Sequence, residues 1–69
     1  MINTNKLRGI IKAKGYTLEE GAKAIGISSA TMQRKMKAGV FGSDEIDKMI
    51  VVFEIQNPAD IFFAKEVTE

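Results

Sequence analysis

The sequence predicts an all-α fold of five short helices in one domain, residues 1–69. Three observations predict it. Apolar residues recur at helical three- and four-residue spacing, as in Leu7, Ile10 and Ile11 or Ile46, Met49, Ile50 and Phe53. Residue types that cap helix starts precede these stretches: Asn3 or Thr4, Thr17, Ser28, Ser43 and Asn57. The six glycines fall mostly where the periodicity stops.

The first helix starts at Asn3 or Thr4, and Gly15 stops it, with Lys12 and Lys14 at the negative end of its dipole. Thr17 with Glu20 is a capping box, in which hydroxyl and carboxylate satisfy each other's otherwise unpaired backbone N–H groups. The second helix runs through Ala22 and Ile25 to Gly26, a residue that takes positive φ without steric penalty. Ile27 inserts between helices and Ser28 caps the third. That helix turns Met32 and Met36 inward and Ser29, Ala30, Gln33, Arg34 and Lys37 outward, and Gly39 ends it. Phe41 plugs the next loop. Ser43 caps a fourth helix with Asp44 and Glu45 in its first turn, and Asn57-Pro58 opens a short fifth, from Pro58 to about Phe63. Residues 64–69 show no clear periodicity, and the chain carries no repeat, linker or low-complexity tract.

A hydrophobic share of 45% and a charged share of 28% describe a folded domain. A chain of this length buries only about 60% of its unfolded surface, so a second subunit would help it. With no cysteine and no histidine, disulfides, thiolate and imidazole catalysis and nearly every transition-metal site are excluded. The carboxylates Asp44, Glu45 and Asp47 sit in a helix's first turn, where the dipole explains them, and no glycine pattern resembles a phosphate loop. The expectation is therefore no enzyme, no catalytic residue, no cofactor, no metal and no small-molecule substrate. No apolar run reaches the roughly 18 residues of a membrane span, and the N-terminus lacks a signal-peptide core. A cytoplasmic location without membrane partners is expected.

The net charge of +1 conceals two opposite halves. Through Gly39 the chain carries eight Lys or Arg against two acids, a balance of +6; from Val40 onward it carries two against seven, a balance of −5. Such asymmetry suits a basic end that meets a polyanion and an acidic end kept away from it.

The informative unit spans residues 17–38: a short helix, a glycine-centred turn, and a second helix with small and polar residues at its exposed start. The stretch YTLEEGAKAIGISSATMQRKMKAG resembles the helix-turn-helix of the phage repressor and Cro family, the XRE-type regulators. The similarity extends through DEIDKMIVVFEI and NPADIFF, so it covers nearly the whole chain. It implies a five-helix, lambda-repressor-like fold with helices two and three as the helix-turn-helix, and a transcriptional regulator in a bacterial host cytoplasm. The double-stranded DNA partner would be an operator with two-fold symmetry, bound by a homodimer. The resemblance puts Thr17 and Leu18 at phosphate, Ser28, Ser29, Ala30, Gln33 and Arg34 at base edges, and Lys37 near a backbone contact. The chemistry agrees, since arginine forks to guanine, glutamine pairs with adenine and alanine lies against a thymine methyl.

Two residues depart from the family pattern. Leu18 stands where many members have glutamine, which removes a familiar phosphate contact; Gly21 stands where a larger apolar residue is usual, and Tyr16 is the expected filler. Gln33 and Arg34 also fit a merely solvated helix face, and Met32 and Met36 fit the core. One ring of the Phe62-Phe63 pair should cover the core's end while the other faces a second subunit. A dimer contact is thus expected in residues 58–69, at Ile61, Phe62, Phe63 and Val67. A Cro-like protein, the DNA-binding domain of a longer repressor, and a DNA-binding antitoxin all fit this reading. A helical protein-interaction module is the competitor from another class, and steep salt dependence of binding would separate DNA from protein as the ligand.

Overall fold

The computed structural model describes residues 2–62 of the chain, and among them are five helices and no strand. They are α1 (Thr4–Ala13), α2 (Leu18–Ala24), α3 (Ser29–Ala38), α4 (Ser43–Val52) and α5 (Pro58–Phe62). Phe63, Val67 and the stretch 64–69 lie outside the described residues.

Local chemistry sets the starts. Asn3 Oδ1 accepts the Lys6 N–H at 3.1 Å and so caps α1. Thr17 and Glu20 form the capping box, with Glu20 N–H to Thr17 Oγ1 at 3.0 Å and Thr17 N–H to Glu20 Oε1 at 2.9 Å. Ser28 Oγ accepts the Thr31 N–H at 3.1 Å and caps α3. At α4 the expectation is corrected: Gly42, not Ser43, is the cap, and Ser43 is the first helical residue. The glycine N–H donates to Glu45 Oε1 at 2.8 Å, so the glutamate supplies its half of the box without a side chain opposite.

Three helices stop the same way. The N–H of the second residue past the cap reaches back five residues, Tyr16 to the Ile11 carbonyl at 3.1 Å, Ile27 to Ala22 at 3.0 Å and Ile55 to Ile50 at 3.0 Å. This closure needs a left-handed residue between, and Gly15 (φ +87°), Gly26 (φ +84°) and Glu54 (φ +53°) supply it. Glu54 is the departure, since a side chain is strained there. Lys14 holds its carboxylate at 2.6 Å.

The core gathers Leu7 and Ile11 from α1, Ala22 and Ile25 around the end of α2, Met32 and Met36 from α3, and Met49 and Phe53 around the end of α4. Ile55 and, from α5, Ile61 and Phe62 close it, and Phe41 plugs the loop. Ile27 and Ile46 are half-buried against this cluster. A β-carbon on Gly21 would stand 3.3 Å from Phe53 Cζ and 3.4 Å from Ile11 Cγ2. Phe53 therefore fills the gap expected for Tyr16, because it arrives fully buried from the far end of α4. Tyr16 instead stands edge-on to Phe53, with centroids 5.4 Å apart at 72°. Two backbone bonds tie in the N-terminus: Ile2 N–H to the Gly39 carbonyl at 3.3 Å and Asn3 N–H to the Ile61 carbonyl at 2.8 Å.

Candidate nucleic-acid interface

α3 buries Met32 and Met36 and so turns Gln33 and Arg34, which lie between them, outward. Ala30 and Arg34 form one i, i+4 row on its exposed side, and Gln33 and Lys37 form the next. These four side chains line one open groove together with Arg8 of α1 and Leu18 of α2. A second hollow abuts it, lined by Arg8, Gly9, Ile11 and Lys12 of α1 and by Tyr16, Thr17 and Leu18. Arg8 and Leu18 belong to both.

Not every expected residue reaches this face equally. Ser29 is half-buried, and neither it nor Ser28 is among the groove-lining residues. The Ser28 hydroxyl accepts the Thr31 N–H and donates to Thr31 Oγ1 at 2.9 Å, so it is committed to the start of α3. Leu18 is half-buried and packs against the core, so its side chain offers no hydrogen bond, while its backbone N–H stands in the first turn of α2. Ile61 and Phe62, expected at a subunit contact, are 2% and 5% exposed and belong to the chain's own core, Phe62 being the ring that covers its end. The remaining two expected dimer residues, Phe63 and Val67, are outside the described residues.

The cations sort by partner. Among the described residues the acid-paired ones are Lys6 with Asp60 at 3.9 Å, Lys14 with Glu54 at 2.6 Å, and Lys35 with Glu45 at 2.8 Å. Lys6 and Lys14 line a cleft on the other side of α1, facing α5 and the residues after α4. Lys35 reaches both oxygens of Glu45 at 2.8 Å, fastening α3 to α4 on its inner side. That bond, and then the Gly42 N–H, hold the Glu45 carboxyl below its ordinary pKa against the opposing effect of burial. Arg8, Lys12, Lys23, Arg34, Lys37 and Lys48 form no ion pair among the described residues; Arg8, Lys12, Arg34 and Lys37 line the two hollows, and Lys23 and Lys48 lie elsewhere.

Arg8 and Lys12 escape a reading of the sequence that looks only within residues 17–38. Their i, i+4 spacing around a mid-helix glycine is the available signal. Among the described residues no group of His, Cys, Asp or Glu could hold a metal ion, and no helix is long and apolar enough to cross a membrane. Comparison with protein-family models, with curated proteins and with solved structures returns no match.

Proposed function

We propose that this chain is a sequence-specific DNA-binding regulator in which α2 and α3 act as a helix-turn-helix and α3 enters the major groove. The observation that carries the reading is the sorting of cations: the acid-paired lysines lie off the α3 face, while Arg8, Arg34 and Lys37 line it beside Gln33. Unpaired Lys23 and Lys48 lie elsewhere, so the support is the clustering of three unpaired cations with Gln33 in one groove. On this reading Arg34 and Gln33 read base edges, Ala30 meets a thymine methyl, and Thr17, whose hydroxyl accepts the Glu20 N–H and keeps its proton to donate, meets phosphate. Ser28 shapes the start of α3, Ser29 stands beside the bases and Lys37 binds backbone. One α3 reads only a few base pairs, so a homodimer on a two-fold symmetric site follows from the need for specificity.

The test is selection of binding sites from a random duplex pool at fixed salt. The expected result is a shared motif with two-fold symmetric half-sites about 34 Å apart. A pool that stays random through repeated rounds overturns the proposal, and salt-independent capture of protein in its place would favour a protein-interaction module.

A further inference from the structure

Gly9 has no reason of its own to be glycine. Gly15, Gly26 and Gly39 hold positive φ, Gly21 is pressed against Phe53, and Gly42 stands at the cap of α4. Gly9 lies in the middle of α1, has no left-handed φ, and a β-carbon built on it meets nothing within 4 Å. Glycine inside a helix weakens it relative to alanine. Among the described residues neither the backbone nor the packing asks for that loss, which leaves the bare helix surface open to a partner outside the chain. Close approach of a ligand to the backbone is the remaining use of a glycine there.

The charges beside it identify the ligand. Arg8 and Lys12 stand one turn apart on the same side of α1, both exposed and outside the ion pairs of the described residues. Lys6 and Lys14, on the other side of the helix, are taken by Asp60 and Glu54. Arg8, Gly9 and Lys12 share one hollow, and Arg8 continues into the groove of Gln33, Arg34 and Lys37. A polyanion lying along α3 thus runs on over α1 without a break. The Leu18 side chain, at the junction, offers it nothing polar, whereas an arginine guanidinium such as that of Arg8 can fork to phosphate oxygens.

We infer that the Arg8, Gly9 and Lys12 face of α1 is a phosphate-binding surface for the same duplex, with Gly9 the point where the DNA backbone comes closest to the helix. This rests on the DNA-binding reading and adds to it a contact that stabilises the complex without reading sequence. The surface raises affinity for all duplexes alike and leaves discrimination to α3.

The test uses the full chain and two variants, Arg8→Gln with Lys12→Gln, and Gly9→Gln. Each is measured against the selected duplex and a scrambled one across a salt series, with thermal melts alongside. Glutamine is a good helix former, so Gly9→Gln should melt no lower than the parent while binding both duplexes more weakly, on the order of tenfold. The double variant should weaken both duplexes by a similar factor and make the salt dependence shallower by roughly two, about one for each phosphate that no longer meets a cation. The ratio between the two duplexes should stay at the parent's value. If the parent chain binds no DNA, the DNA-binding reading and this inference fall together. If the parent binds its site with salt-dependent affinity but the double variant matches it in affinity and slope, or Gly9→Gln binds at full strength, the inference alone is overturned.

Discussion

Arg34 and Lys37 both line the exposed groove along α3, yet the proposed complex asks different things of them. A guanidinium forked onto guanine discriminates, so Arg34→Ala should lose about 1 to 3 kcal/mol on the selected site and relax preference at one base-pair position. Equal loss on every duplex would instead assign it to phosphate. An ammonium near phosphate does not discriminate; Lys37→Ala should weaken all duplexes and lower the salt slope by roughly one. Titration of both variants at several salt concentrations checks the pair, and an unchanged slope for Lys37→Ala rejects its role. Legibility at this scale follows the chain's local grammar. Ala30, Gln33, Arg34 and Lys37 can be read because helical spacing around Met32 and Met36 fixes which residues face out. Arg8 and Lys12 are legible only as a pair one turn apart beside a glycine; that their side of α1 borders the α3 groove depends on packing between segments distant in sequence. Ser28 already holds two hydrogen bonds at the start of α3, and its hydroxyl keeps a second lone pair that can accept from a base.

The turn between α2 and α3 depends on Gly26, at φ +84°. A β-carbon there would meet only Lys48 Nζ at 3.8 Å, so the objection to a larger residue is conformational, not steric. Gly26→Val should lower stability by about 1 kcal/mol or more, a fall in melting temperature of roughly 4 to 8 °C per kcal/mol for a domain of this size. Overlaid melts would refute that account of the turn. α3 is held to α4 by Lys35 and Glu45, whose carboxyl has its pKa lowered in the folded chain. Its stabilisation is therefore present at neutral pH and is lost as pH falls below the ordinary value of 4.5 and through the lowered one. Urea unfolding should show the parent more stable than Glu45→Gln by about 1 kcal/mol at pH 7, with the gap narrowing steadily as pH falls below 4.5. A gap that persists at low pH would show that charge is not its origin. Starts and stops made of serine, threonine, asparagine and glycine are legible in the sequence because each is a contact within a few residues. The Gly42 start and the Glu54 stop of α4 are not, since neither residue is a signal at its position.

For the whole molecule, five helices and their order can be read from periodicity, while the fit between them cannot. Phe53 filling the space over Gly21 joins α2 to the end of α4, and no spacing rule reaches that far. The same limit applies to Ile61 and Phe62, which read as a spare apolar surface and close the core instead. Ile61→Ala should therefore destabilise the chain by about 2 to 5 kcal/mol, a large share of what a domain this small holds. Denaturant midpoints of the variant at several protein concentrations check this. A small loss that grows on dilution would return Ile61 to a subunit contact.

The two bonds at the N-terminus bear on how the chain comes together in time. The Asn3 amide donates to Ile61, almost the full described length away, and Lys6 faces Asp60 beside it. A chain end commonly frays, and its amides exchange with solvent within moments. Here the Asn3 proton is held by the Ile61 carbonyl of α5, a helix anchored by two core side chains. Its exchange in heavy water should therefore keep pace with the slowest amides of α1, not with an open end. A growing chain must likewise leave the Asn3 amide unlatched until α5 has been made, although α1 already has α2 to pack against.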